Sequence, residues 1–503
     1  MEPVLLGIDQ GTTSTRAIAF DQRLKPLAVA SRPLAIRHPR PGWVEQDAEE
    51  ILQSVVATVA EVTDACGGPD AIVAAGLANQ GETVVAWDAE SGRSLAPAIV
   101  WQCKRSEPVV ERIRAAGLER DICSRTGLPL DPYFSAGKLN WLLAENEAVR
   151  AACDTGRLRF GTVDAWLTWH LAGTARTDLS TASRTQLFNL RSLQWDPWLL
   201  DVFEIPDWTL PEIVPSAGDL GILGHSRWNV ELPLRAMVCD QQAALAGHAC
   251  FDPGALKATY GTGVFVLANA GNQVPNTDGS ILATIAWSLP DGSVAYALDG
   301  GVFSAGTLVN WLRDGLGIVA SAEEMEAQAR SVPDDGGVLT LPALAGLGAP
   351  WWRAEVRGVI AGLTPGVTSA HLARSALDGI AHRVCDVVEA MAQHLLRPPE
   401  VLRVDGGLRG NGYLLQRQAD LLGIPLAVAS VVETTAQGAA ALAGLGAEVI
   451  ETESIVLAAE VTSHVEPQLD DGARESARSR WRRFVQAAAT MEEAIAGTHS
   501  AIS

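Results

Sequence analysis

Twice in this chain, apolar runs are joined by a short polar turn built on Gly-Thr, and that repeat constrains the fold more than any other feature. Near the start, Val4 to Asp9 and Thr15 to Phe20 flank Gln10-Gly11-Thr12-Thr13-Ser14, and Leu27 to Ser31 follows a second turn, DQRLKP. Short apolar runs between turn residues read as three strands. A helix comes next. Asp47 can cap it with Glu50 three residues on, and Ile51, Leu52, Val55, Val56 and Val59 mark one apolar face. Ala71 to Ala78 then reads as a buried strand, and Ser135 to Leu143 carries a helix signal. From about residue 255 the opening returns in KATYGTGVFVLANAG. Further strands are predicted at Ile281 to Leu289, Val294 to Leu298 and Leu402 to Asp405, with helices at Ala370 to Leu395 and after Asn411 and Thr435. A β-β-β-α-β start met twice predicts two related α/β domains.

Length agrees, because 503 residues exceed what one ordinary core supports. We place the first domain at residues 1–250, the second at 251–450, and a charged, helical, peripheral tail at 451–503. A formal net charge of −21 repels phosphate backbones, which argues against a nucleic-acid or anionic-membrane partner. The seven cysteines, Cys66, Cys103, Cys123, Cys153, Cys239, Cys250 and Cys385, are scattered without a Cys-x-x-Cys pair, so neither a zinc site nor a disulfide framework is expected. With no basic leader and no run of membrane-spanning length, the reading is a reduced, cytoplasmic protein.

Chemistry concentrates at the turns. In Asp9-Gln10-Gly11-Thr12-Thr13-Ser14-Thr15-Arg16, Gly11 lets the backbone turn tightly, so that successive N–H groups and hydroxyls can face phosphate oxygens. Asp9, ending a buried strand, is placed to hold Mg²⁺ through water, and Arg16 adds a fixed positive charge. The plainer reading is a polar hairpin turn. A second Gly-Thr turn, Thr259-Tyr260-Gly261-Thr262-Gly263, favours a triphosphate gripped by one turn from each domain. Neither turn is a Walker loop. Asp405-Gly406-Gly407-Leu408-Arg409-Gly410-Asn411 permits close approach of a flat ring, although a strand-to-helix turn often needs glycine anyway. Asp240, before AALAGHA, reads either as a helix N-cap or as a base that takes a proton from an attacking hydroxyl. Glu82, in Asn79-Gln80-Gly81-Glu82-Thr83, reads either as part of a polar loop or as a ligand for vicinal hydroxyls.

These segments, with PGWVEQD, AIVWQCKR, TGLPLDPYFSAGK, FGTVDAWLTW, ASRTQLFNL, DQQAALAG, TYGTGVF, GLGAPWW, GVIAGLT and RVDGG, resemble the FGGY family of carbohydrate kinases over residues 4 to 445. IVWQC, DPYFS and the DQQAAL–TYGTG pair resemble its glycerol-phosphorylating branch. His371, Ser375 and Asp378 fit the family's second signature. The resemblance implies an α/β fold of two actin-like (ribonuclease H-like) domains with an ATP-binding cleft between them. It also implies ATP-dependent phosphorylation of a small polyol, glycerol foremost, with Mg²⁺. Carried over, Thr12, Thr13, Ser14 and Arg16 match the phosphate loop, and Thr262, Gly306, Asn310, Gly407 and Asn411 the other nucleotide positions. Glu82, Tyr133, Asp240 and Gln241 match polyol ligands, Trp101 and Phe265 the apolar wall, and Asp240 the catalytic base.

Three departures follow. That branch carries arginine where this chain has Gly81, which removes a charged donor and is expected to open volume for a longer, four-carbon polyol. Loss of such a donor commonly costs about 1.5–3 kcal/mol. Asn310 stands for a glutamine. His225-Ser226-Arg227-Trp228 replaces the loop that binds fructose bisphosphate in regulated relatives, so that regulation is not expected. The alternatives to glycerol are another polyol or a ketose, and, from a different class, a catalytically silent nucleotide or sugar sensor. Homodimer and homotetramer are both open to it.

Overall fold

The computed structural model describes residues 3–224, 230–430, 433–459 and 461–499; residues 225–228, where the sugar-regulated loop is replaced, lie outside them. The chain divides into two compact units, neither continuous in sequence. The first comprises Met1–Phe251, Gly271–Ala297 and Glu433–Ala459, and the second Asp252–Ala270, Leu298–Val432 and Glu460–Ser503.

In the first unit the strands are β1 (Val4–Gln10), β2 (Ser14–Phe20), β3 (Pro26–Pro33), β4 (Ile72–Asn79), β5 (Ile222–Leu223) and β6 (Leu232–Cys239), ordered β5-β6-β4-β1-β2-β3. The turn at Gly11 returns β2 antiparallel to β1, pairing Asp9 with Arg16 and Gln10 with Thr15. β4 runs parallel to both β1 and β6, aligning Gln10 with Asn79 and Asn79 with Cys239. Three chain segments therefore leave neighbouring parallel strands at the same end of the sheet, where ligands bind in open α/β sheets.

The helix Ala48–Ala65 covers one face, burying Ile51, Leu52, Val55 and Val59 with Leu6, Ile8 and Trp166. Asp47 caps it as expected, accepting from the N–H groups of Glu49 and Glu50. Glu50 does not return to the cap; its carboxylate accepts from the Ala35 N–H at 3.1 Å, fastening the incoming chain. The other face is covered by the helix Thr434–Gly446, which arrives from the far end of the sequence. Its backbone lies so close that a Cβ at Gly7 would run into the carbonyl oxygen of Ala436, and one at Gly76 into that of Ala439. Two more glycines seat it on the helix Asp240–Gly247: a Cβ at Gly438 would strike Ala243 O, and one at Gly247 would strike Thr434 O. A smaller sheet of Glu45–Gln46, Ala98–Ile99, Val84–Asp88 and Leu158–Thr162 completes the frame around the site.

The second unit contains β7 (Leu256–Tyr260), β8 (Val264–Gly271) up to Ala270, the Leu298–Val302 part of β9 (Val294–Val302), β10 (Leu402–Asp405), β11 (Leu426–Ala429) and β12 (Val461–Val465), ordered β9-β8-β7-β10-β11-β12; the strand expected at Ile281 to Leu289 forms as Leu282–Ser288, in the first unit. The hairpin β7–β8 repeats the β1–β2 geometry, and Thr259 aligns with Asp405 across the parallel pair β7–β10. The end of the chain is not the peripheral tail that its charge suggests. β12 pairs antiparallel with β11, and the helix Asp471–His499 buries Trp481 among Leu341, Leu347 and Val356. Arg478 is drawn inside by Asp386 at 2.7 Å and Glu389 at 2.8 Å, so the charge that reads as solvated is paired.

Candidate active site

Asp9, near the end of β1, is raised from the usual aspartate range to about 7. Loss of solvent is the main cause; the charge of Asp240 and then of Glu433 add to it, while Arg16 opposes it. Asp9 and Asp240 thus share one electrostatic neighbourhood although 231 positions separate them in the chain. Asp240 opens the helix Asp240–Gly247 at its first position, one residue past the Cys239 N-cap, and its Oδ1 accepts from the Gln241 N–H at 2.6 Å. A helix start favours a carboxylate there. The carboxylate of Asp9 suits Mg²⁺, a hard cation that keeps several waters and takes one or two carboxylates beside substrate phosphates. Among the described residues, no group of three or more His, Cys, Asp or Glu gathers to hold a metal alone.

The turn after β1 is exposed at Thr13 and half-buried at Gly11, Thr12 and Ser14. Its Thr12 hydroxyl is engaged on both sides, donating to Gln80 Oε1 at 3.3 Å and accepting from Trp101 Nε1 at 2.9 Å. Gln46 Nε2 donates to the Thr12 carbonyl at 2.7 Å, and Gln80 Nε2 donates to Gln46 Oε1 at 2.9 Å. The turn is therefore locked at Thr12 by buried amides. Trp101 is set edge-on to Tyr133 at 5.4 Å, and its indole N–H holds the turn. Arg16 pairs with Glu433 at 2.7 Å, so its charge is shared.

Glu82 lies beyond the end of β4, buried, with Oε1 2.7 Å from Arg184 Nε. Behind it the buried Lys138 ammonium donates to the carbonyl oxygens of Glu82 (3.2 Å), Phe134 (3.3 Å) and Tyr133. Gly81 does not open volume. A Cβ there would stand 2.5 Å from Cys239 Sγ and 3.5 Å from Arg184 Cγ, so those side chains already fill the space. Burial and the charges of Asp240 and Glu82 hold the Cys239 thiol protonated, well above its usual range.

The second unit brings Thr262 and Gly306 together through backbone bonds. Ala305 N donates to Thr262 O at 3.0 Å, Gly306 N to Gly261 O at 3.1 Å, and Thr307 N to Thr262 O at 3.0 Å. A Cβ at Gly306 would be 2.6 Å from Gly261 O, so glycine is required by the approach. Gly406 (φ +91°) packs its Cα against the Tyr260 backbone, and beside it Gly407 is exposed, with nothing within 4 Å of a Cβ. Phe265 is half-buried on β8, and Asn310 ends the short helix Gly306–Asn310, exposed. Asn411 is committed locally: its Oδ1 caps the next helix by accepting from Leu414 N at 2.9 Å. The sequence reading had missed Gln46, Gln80, Lys138, Arg184 and Cys239. All five stand inside or beside the quoted motifs, which is the one signal that could have found them.

Models of the FGGY family of carbohydrate kinases match this sequence, the N-terminal domain over residues 4–247 and the C-terminal domain over 256–447. A glycerol kinase of Citrifermentans bemidjiense is 47% identical over 485 residues, 96% of this chain and 98% of that protein. Glycerol kinase 2 of Thermotoga maritima is 43% identical over 485 residues, with 96% and 98% covered. The crystal structure of Plasmodium falciparum glycerol kinase with ADP superimposes with a TM-score of 0.91 at 31% identity, covering 97% of this chain and 98% of that one. A xylulose kinase from Rhodospirillum rubrum, 22% identical with a TM-score of 0.86 and 97% and 99% covered, shares the fold.

Proposed function

This chain belongs to the FGGY family of carbohydrate kinases, and from that premise we propose that it transfers the γ-phosphoryl group of ATP to a primary hydroxyl of glycerol. It is a phosphotransferase with the actin-like two-domain fold of its relatives. The observation that carries the reading is the placement of Asp240 at a helix start, electrostatically coupled to Asp9, with Asp240 and Glu82 both acting on Cys239, which provides a base, a cation site and a hydroxyl ligand in one unit.

Asp240 accepts the proton of the attacking hydroxyl. Glu82, Tyr133 and Gln241 orient the polyol, and Trp101 faces its carbon chain. The Thr12–Ser14 turn offers backbone N–H groups to phosphate; Arg16 adds positive charge shared with Glu433. Thr262, Gly306, Asn310, Gly407 and Asn411 line the nucleotide in the second unit. Mg²⁺, held beside Asp9, offsets the charge of the triphosphate when bound. The filled space at Gly81 supports glycerol over a longer acceptor. Seven free cysteines support a reducing, cytoplasmic setting, and among the described residues no helix is long and apolar enough to cross a membrane.

ADP release should depend on glycerol, and Asp240→Asn should lower kcat by about 10²–10⁴-fold with the protein still folded. A wild type that releases no ADP with glycerol sinks this reading.

A further inference from the structure

Resting on the acceptor site just assigned, we propose that Arg184 is its positioning residue: it fixes Glu82 and, with Cys239, closes the space beside Gly81, so that a three-carbon polyol is preferred over longer ones. Arg184 follows the short helix Leu179–Ala182, and its backbone is held by Arg184 N donating to Thr181 O at 3.0 Å. The next residue accepts from Ala136 N through Thr185 O at 2.8 Å, tying this segment to the helix that carries Lys138. The guanidinium is therefore delivered by a fixed backbone.

Its side chain is 4% exposed and that of Glu82 6%, so the pair is dry. In such a place, removing one member of an ion pair strands the other charge. Arg184 Nε engages Oε1 of Glu82 at 2.7 Å, and this fixes the plane in which the carboxylate meets a hydroxyl. The guanidinium carbon also lies 6.0 Å from the ring centre of Tyr133 and 5.6 Å from that of Phe134, so one side chain braces two acceptor-site residues. Beside Gly81, Cys239 Sγ and the Arg184 stem take up the room that a side chain at position 81 would need.

The test uses Arg184→Met, Arg184→Lys and Cys239→Ala, with ADP release measured on glycerol and on the four-carbon polyol erythritol. For Arg184→Met, the glycerol KM should rise by about tenfold or more while the ATP KM stays within about twofold. Millimolar guanidinium should recover part of the loss, which a general loss of structure would not allow, and Arg184→Lys should fall between. Cys239→Ala should raise the ratio of kcat/KM for erythritol to that for glycerol by about fivefold or more. A folded Arg184→Met with unchanged glycerol KM, or a selectivity ratio unmoved in Cys239→Ala, overturns the proposal. If Arg184→Met does not fold, Arg184→Lys and Cys239→Ala decide it. Wild type inactive on both polyols is a separate outcome, seen before any variant is made, and refutes the kinase reading instead.

Discussion

The Lys138 ammonium is fully buried behind the acceptor site and ties two loops that the chain separates by about fifty residues, through the carbonyls of Glu82 and of Tyr133 and Phe134. Burial lowers its pKa from the usual lysine value to about 8, against the opposing pull of Glu82, Cys103 and Asp131. Below pH 8 the ammonium is present in folded and unfolded chains alike, and its burial is a standing cost. Between about 8 and 10.5 the unfolded chain binds more protons, so this group's contribution to stability rises with pH while its grip on the carbonyls is lost. The glycerol KM should therefore climb above pH 8 in the wild type. In Lys138→Met it should be raised throughout and flat across that range; a Lys138→Met profile that parallels wild type removes Lys138 from the site. Asp9 and Asp240 could be singled out in the sequence because each ends an apolar run, but a hairpin turn and a helix start use such residues as readily, and the roles given to Asp240 and Glu82 came from the resemblance. Arg184, Lys138 and Cys239 could not be singled out, because each acts through a neighbour distant in sequence: 102 positions for Arg184 and Glu82, 56 for Lys138 and Glu82.

At the scale of elements, the strands β1 to β4 were readable from periodicity within a residue or two of their ends, and the helix Ala48–Ala65 at its start. The two-residue strands of the smaller sheet were not, since alternation cannot register over two positions. The helix Thr434–Gly446 was expected as a helix, but its place in the first unit was hidden. Its sequence, TTAQGAAALAGLG, buries nearly all round and shows no apolar stripe. What fits it there is smallness. In an exposed helix, alanine in place of glycine stabilises by about 1 kcal/mol. Gly438→Ala should do the reverse and destabilise by about 1–3 kcal/mol or more, because the added Cβ meets Ala243 O, a backbone atom that cannot swing away. Urea unfolding measures the sign, and a more stable variant would show that this packing is looser than described.

For the whole molecule, the length and the doubled opening pattern foretold two α/β domains. They did not foretell that the first unit draws on three stretches of chain. A fragment of residues 1–297 should lack cooperative unfolding and bind a hydrophobic dye, because β1, β4 and the helix Asp240–Gly247 would present bare glycine-lined faces. Joining residues 433–459 to that fragment through a flexible linker should restore a cooperative transition. If the short fragment folds as well as the joined one, the late helix is dispensable. The same late helix also imposes a schedule on synthesis. The strand β6 is complete at Cys239, yet its covering helix begins at Thr434, some 195 residues later. At about 5–20 residues per second, the ribosome leaves that sheet face uncovered for roughly 10–40 s, the interval in which a chaperone would have its longest claim on the nascent chain.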